Sequence, residues 1–456
     1  MSRRAPNRQL STLLAEVGWS AGDLARAVNS LGKAVGLTLS YDRTSVAHWL
    51  SGSRPQAPVP DLAARALSRR SGRVVAPEDT GLPQPPHGHA ARRPDPLDES
   101  DPLRRLTSLC RQDTDPARRP SLTASAYTLT ALTLSDWAHR PKSTAPDSGQ
   151  RAASSSSSDV RILREMTEVF AALGSAHGGG HARSALAAYL TDDAERMLIA
   201  PATSAIHSQL CTAAAQLTHL LAVMTEDTGY AGLAQRYYRT ALDLAHQADD
   251  RATYAVTLRA MSLQALRLGH PPQAHTLAET ALDTLSPTAD GATRSFLLAQ
   301  RALTFAAVRQ PRRAREDLRA ADQQHERASS PPGPFTSYPR AGLDYHTART
   351  FNALGEPGHA LTSLSQAARH RAPAQGKAWA LTHARLAEAR VNLGQLEAAC
   401  DHWHTFLDHY PSLRSTQVDE ALTRLRQNAG AFPRQARAVS LLHRARTLER
   451  QSRHCG

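Results

Sequence analysis

The stretch Leu258-Arg-Ala-Met-Ser-Leu-Gln-Ala-Leu-Arg-Leu-Gly269-His-Pro-Pro-Gln-Ala274-His-Thr-Leu-Ala-Glu-Thr-Ala281 decides the fold. Leu258, Met261, Ala265 and Leu268 recur at the helical period, so they form one apolar stripe. Gly269 ends that helix by accepting a left-handed backbone. Ala274 is small enough to let a second helix approach the first, and Ala281 lies two turns further along the same face. The pattern recurs at Gly229/Ala234, Gly355/Ala360 and Gly394/Ala399, with Leu before the Gly at Leu268, Leu354 and Leu393. The second Ala returns at Ala241, Ala281 and Ala367; Ala314/Ala321 is a middle copy in which Gln310-Pro311 replaces the glycine turn. Ala241, Ala281 and Ala321 are 40 residues apart, and Phe406 takes the second-Ala place in the last copy. A helix hairpin of this kind cannot bury its face alone, so the copies must stack, and the fold class read here is an all-α solenoid.

Residues 215–410, roughly five units, resemble tetratricopeptide repeats. They lack that repeat's usual Trp and its 34-residue period, which implies longer helices or loops. In the resembled repeat the first helix of each hairpin lines a concave groove. The resemblance implies that Arg259, Tyr345, Arg349, Asn352, Arg385 and Asn392 line it here. Arg and Asn in a groove suit carboxylates and peptide backbone, so an acidic or C-terminal peptide, or a small signal molecule, is the expected occupant. A solvated groove or a homodimer contact is the alternative.

Outward from the repeats, the chain divides. At 456 residues and 41% apolar it is long enough for more than one domain. No run of ~18 uncharged apolar residues exists, so no membrane-spanning helix is expected, and the N-terminus lacks the apolar stretch of a secretory signal. Cys110, Cys211, Cys400 and Cys455 are too scattered for a disulfide framework, which fits a reducing cytoplasm. The expected domains are a unit over 1–82, a Pro/Ser-rich linker over 83–158 with one helix near 122–137, and the repeat domain over 159–456. The proline-dense residues 83–102 read as extended, and the polar stretch ending in Ser154–Ser158 reads as disordered.

The net charge is +13, and residues 1–75 hold eleven basic residues against four acidic ones. A basic unit at one end suggests a polyanion partner. Leu10, Leu13, Leu14 and Val17 make a first helix stopped by Gly18; Ser20 and Asp23 form a capping box for a second, with Leu24, Ala25, Val28 and Leu31, stopped by Gly32. Asp42 caps a third helix with Val46, Trp49 and Leu50 inward, and Pro60 opens a fourth. This layout, and the stretch Arg43-Thr-Ser-Val-Ala-His-Trp-Leu-Ser-Gly52, resemble a helix-turn-helix domain of the lambda-repressor/Cro type. The expected DNA-binding residues follow. Arg43 suits a bidentate contact to guanine, Thr44, Ser45 and His48 suit base edges or phosphate, and Ser51, Arg54 and Arg8 suit phosphates. The link from Gly32 to Tyr41 is longer than the ~3–4-residue turn of the motif, so an altered angle for the third helix is expected.

Taken with Leu10-Ser-Thr-Leu-Leu-Ala-Glu16, Ala185-Leu-Ala-Ala-Tyr-Leu190 and Leu233-Ala-Gln-Arg-Tyr-Tyr-Arg-Thr-Ala-Leu242, the chain resembles actinobacterial regulators that join an N-terminal helix-turn-helix to C-terminal tetratricopeptide-like repeats. That resemblance implies a cytoplasmic, nucleoid-associated regulator of sporulation or antibiotic production, often a repressor, with double-stranded DNA as partner. The alternative is an interaction scaffold or peptide-signal receptor whose basic head does not read DNA sequence.

Catalytic readings fare poorly. His177-Gly-Gly-Gly-His181 matches an esterase oxyanion loop, but no Gly-x-Ser-x-Gly elbow accompanies it, so a flexible joint between helices is expected. His402, His404 and His409 near Cys400 fit no zinc spacing, and His402 and His404 point to different sides of a helix. No phosphate-binding glycine loop appears. Neither an enzyme, a cofactor nor a metal is expected.

Overall fold

The starts of the first three head helices follow capping residues visible in the chain. In a computed structural model the described residues are 6–82, 101–132, 137 and 155–454, apart from 35, 36, 38, 57, 72, 74, 330–332, 334 and 336. Most of the proline-dense stretch, Ser154 and Cys455 lie outside them. Asn7 caps α1 (Arg8–Val17) by accepting from the Leu10 amide at 3.0 Å, and Gly18 ends it at φ +64°. Before α2 (Ala21–Ala34), the Ser20 amide donates to Asp23 at 2.9 Å and the Asp23 amide to the Ser20 hydroxyl at 3.3 Å, which is the reciprocal box read from the sequence. Gly32 does not stop α2. It lies inside the helix, at a place where a Cβ would press within 2.9 Å of Leu39 Cγ. α3 (Arg43–Leu50) is capped by Asp42, and α4 (Val59–Ser71) carries Pro60 in its first turn. Leu10, Leu24, Val28, Val46, Trp49, Leu62 and Leu67 close one small core among these four helices.

The segment after residue 100 differs from the expected linker. Asp101 caps α5 (Pro102–Thr114), and α6 (Arg119–Thr123) follows; Thr130–Leu132 is one 3-10 turn, so the described part of 122–137 holds no long helix. Leu103, Leu106, Leu109 and Cys110 put an apolar stripe of α5 into the repeat core, and the prolines flanking it masked that stripe in the sequence. Ala124 belongs to the head's core, and Arg65 donates to the Thr123 carbonyl at 3.0 Å. Tyr230 packs against both cores, so this segment is the seam between head and repeats.

The repeat region opens with α7 (Ser157–His177), α8 (Gly179–Tyr189), a π turn and α9 (Glu195–Ile199). Six hairpins follow: α10 (Ser204–Asp227) with α11 (Ala231–Gln247), α12 (Arg251–Arg267) with α13 (Pro271–Thr284), α14 (Gly291–Ala307) with α15 (Pro311–Glu326), α16 (Arg340–Ala353) with α17 (Pro357–His370), α18 (Gly376–Asn392) with α19 (Leu396–His409), and α20 (Thr416–Gly430) with α21 (Ala436–His454). No strand occurs among the described residues, and no helix among them is long and apolar enough to cross a membrane. The fold is therefore an all-α, tetratricopeptide-like stack.

The turn glycines behave as their positions require: Gly229, Gly269, Gly355 and Gly394 all have φ between +74° and +88°. In the copy without glycine, Arg309 takes the same left-handed conformation at φ +60°. Ala274, Ala281, Ala314, Ala321 and Ala367 are buried at the hairpin contacts, and the Ser262 hydroxyl reaches the Ala274 carbonyl at 2.6 Å. Phe406 is fully buried in its place.

The stack also returns on itself. The Gly180 amide donates to the Arg414 carbonyl at 2.9 Å, and the Arg414 amide to the His177 carbonyl at 2.8 Å. Asp227 holds the seam: it accepts from the Gly179 amide, Ser415, Gln417 and Lys377, all within 3.0 Å. Burial pushes its pKa up, but Lys377 and these hydrogen bonds outweigh that and hold it below the usual range. A Cβ at Gly179 would stand 2.6 Å from Met224 Cα, and one at Gly178 would stand 2.6 Å from the Arg414 carbonyl oxygen. The His-Gly-Gly-Gly-His string is thus a close-packed joint, needing glycine for backbone approach.

Candidate functional site

Two surfaces carry the residues singled out above. On the head, α3 buries Val46 and Trp49 and presents Arg43, Thr44, Ala47 and His48 to solvent. Ser45 is not free for a partner: its hydroxyl donates to Asp42 at 2.7 Å and its amide to the same oxygen at 2.8 Å, which also holds the Asp42 pKa low. The Ser51 hydroxyl is exposed but donates to the His48 carbonyl at 2.9 Å. The Asn7 amide donates to the Leu50 carbonyl at 2.9 Å, which brings the start of α1, and with it exposed Arg8, to the end of α3 near exposed Arg54. Arg26 pairs with Asp23 and Arg73 with Glu16, whereas Arg8, Arg43 and Arg54 meet no carboxylate among the described residues. The long link before α3 is pinned: Asn29 donates to the Tyr41 carbonyl at 2.7 Å and accepts its amide at 3.0 Å, and the Tyr41 ring packs edge-on to Trp49.

The inner face of the repeats grades from open to buried. Asn352, Arg385 and Asn392 are exposed, Tyr345 and Arg349 are half-buried, and Arg259 is only 6% exposed. Arg385 reaches Glu388 at 2.9 Å, and Arg424 holds the other oxygen of that carboxylate at 2.8 Å. The open-groove reading of Arg259 therefore needs correction. Its guanidinium lies over the Phe296 ring of α14 at 3.6 Å and donates to His346 of α16 at 2.7 Å, so it points into the stack. Burial lowers its pKa to about 10, so it remains charged. The sequence reading missed Arg267, His346 and Arg371. Arg267 sits in the same helix as Arg259 and pairs with Glu226 at 3.1 Å. Arg371 lies beyond the end of α17, where no helical period flags it.

The histidines of α19 do face different ways: His402 Nδ1 is 3.1 Å from His383 Nδ1, and His404 is 3.2 Å from an Arg444 nitrogen. Burial, with His402 and His409 nearby, lowers the His383 pKa to about 4. Among the described residues no group of three or more His, Cys, Asp or Glu is placed to hold a metal ion.

Comparison with known proteins adds little to this geometry. The family model of the SP15 N-terminal domain matches residues 10–83, which is the head. No curated protein matches the chain. Among solved structures, the crystal structure of the APC/C hetero-tetramer Cut9-Hcn1 is similar at 13% identity, covering 93% of this chain and 68% of that one, with a TM-score of 0.34. The repeat assignment rests on the hairpins themselves.

Proposed function

We propose that this protein is a helical-repeat interaction protein whose inner face receives an acidic polypeptide segment. The observation that carries this reading is the graded row of Asn352, Arg385, Arg349 and Arg259, in which Arg349 has no hydrogen-bond or ion-pair partner among the described residues. A face that ends in guanidinium without a carboxylate partner favours carboxylates. The test uses the full chain and a fluorescent ten-glutamate peptide, read by anisotropy. Binding is expected for the native protein and a drop of at least ten-fold for Arg349→Glu. A native protein that ignores the peptide refutes the reading.

A second reading has its own observation, the exposed polar face of α3 beside three cations without carboxylate partners. It makes the chain a helix-turn-helix regulator of development or secondary metabolism, of repressor type, with α3 in the major groove of duplex DNA and the repeats dimerising or receiving a signal. Capture of genomic fragments separates the two. On this reading the full chain retains specific fragments, with affinity falling steeply as salt rises. Arg43→Ala relaxes the selection and costs ~1–3 kcal/mol. No retention above background at low salt leaves the interaction protein alone.

A further inference from the structure

We propose that the deep end of the inner face, where Arg259, Arg349 and Arg371 gather around His346, is a binding site for a phosphate group. This rests on the acidic-ligand reading and names the group that fills its depth. The argument begins with charge. Arg259 donates to His346 Nε2 at 2.7 Å, so that nitrogen is an acceptor and the imidazole is neutral, with its proton on Nδ1 facing the Gly342 carbonyl at 2.9 Å. Arg371 donates to the Ala341 carbonyl at 2.8 Å and to Gln375 at 3.3 Å, again neutral acceptors, and its guanidinium carbon lies 5.9 Å from the Tyr345 ring centre. Arg349 follows Tyr345 by one helical turn and has no partner among the described residues. The Nε atoms of Arg259 and Arg371 are buried without a hydrogen bond.

The nearby carboxylates are occupied elsewhere. Asp344 is held by Arg340 at 3.0 Å and His370 at 2.7 Å, and Glu226 by Arg267 at 3.1 Å and Tyr238 at 2.7 Å. All three guanidiniums act on His346, and together with burial they hold its pKa well below the ordinary value. Unneutralised charge is costly away from water, and a ligand of opposite charge removes that cost. A phosphomonoester brings roughly −1.5 to −2 charges and three strong acceptors, against one charge and two oxygens for a carboxylate. Three cations with donors to spare match the former. Asn352, exposed on α16 three residues after Arg349, offers a rim donor and acceptor for the remainder of the ligand.

The test follows the thermal midpoint of the full chain in sodium phosphate, sodium acetate and sodium chloride at matched ionic strength. Phosphate should raise the midpoint with a saturating dose dependence, while acetate and chloride should not. Arg349→Ala should weaken the apparent phosphate affinity at least ten-fold. Arg349→Lys, which keeps the charge and loses the fork, should fall between, and Arg444→Ala, outside the site, should match the native chain. Circular dichroism checks that each variant is folded, and Arg349→Lys serves if the Ala variant is not.

A ten-residue glutamate-rich peptide with one central phosphoserine, compared with its serine counterpart, then separates the sources. Preference for the phosphopeptide places the phosphate on a protein side chain. A phosphate response with equal binding of both peptides assigns it to a small phosphorylated molecule. An acetate response equal to that of phosphate, or a full phosphate response in both Arg349 variants, overturns the proposal. Failure of the glutamate peptide with phosphate binding intact overturns only the polypeptide reading.

Discussion

Removing the Asp113 carboxylate should unlock the segment that joins head to repeats. Asp113 is 2% exposed at the end of α5. Both its oxygens accept from Arg183 Nη2 at 2.6 Å, and one also accepts from the Tyr237 hydroxyl at 2.9 Å. Arg183 is equally buried; its Nε donates to Thr225 at 3.1 Å and its guanidinium lies over the Tyr230 ring. In Asp113→Ala the guanidinium stays in place with hydroxyl and ring neighbours that carry no charge. Breaking a buried pair from one side costs about 3–5 kcal/mol, because the surviving charge is desolvated and unpaired. For a cooperative unit of roughly 150–250 residues that lowers the midpoint by roughly 10 °C. Urea unfolding followed by circular dichroism gives the free energy. Asp113→Leu with Arg183→Met removes both charges and should recover most of the loss. If Asp113→Ala unfolds within about 1 kcal/mol of the native chain, the network is not holding α5 and the reasoning is wrong.

Three further outcomes are expected. Gly232→Ala should loosen the seam, since a Cβ there would overlap the Ser125 carbonyl while Gln235 clamps Thr128 through two hydrogen bonds at 3.0 and 2.8 Å; limited proteolysis should cut within 115–130 faster with helix content unchanged. Trp403→Ala empties a fully buried site in the C-terminal core and should cost ~3–5 kcal/mol in urea unfolding, mostly in the last two hairpins. Burial, with Arg259 nearby, lowers the His219 pKa to about 3. Above pH 6.5 both states keep this imidazole neutral; below it the unfolded chain gains a proton that the folded chain refuses until about pH 3. This stability is therefore present above pH 6.5 and lost as pH falls, by at most about 1.4 kcal/mol per pH unit, and His219→Gln should flatten that slope in urea midpoints taken from pH 7 to 4.

Much of the architecture was legible because its signals are local. Asp42 with Ser45, Ser20 with Asp23, and the turn glycines act within a few residues, so a linear reading finds them. The repeat was legible for the same reason, since each copy restates one helix-turn-helix geometry. Gly32 looked like a stop, yet it is a close-approach residue inside α2, and only the position of Leu39 distinguishes the two. The α5 stripe is hard to see in the sequence because proline density dominates its surroundings. Helical phase assigns Arg349 and Asn352 to α16 and Arg385 to α18, where Asn352 and Arg385 are exposed and Arg349 is half-buried. It did not show that Arg259 lies beneath His346, 87 residues away.

The amino-acid order alone determined that this chain folds as stacked helix hairpins behind a small basic four-helix unit, because period, capping and turn chemistry each operate over one or two helical turns. The tertiary structure decided which charges are answered. Whether a guanidinium meets a carboxylate, a neutral imidazole or nothing depends on helices far apart in sequence coming within hydrogen-bond reach. That reach is set by packing across the stack, as where Arg259 of α12 meets Phe296 of α14 and His346 of α16.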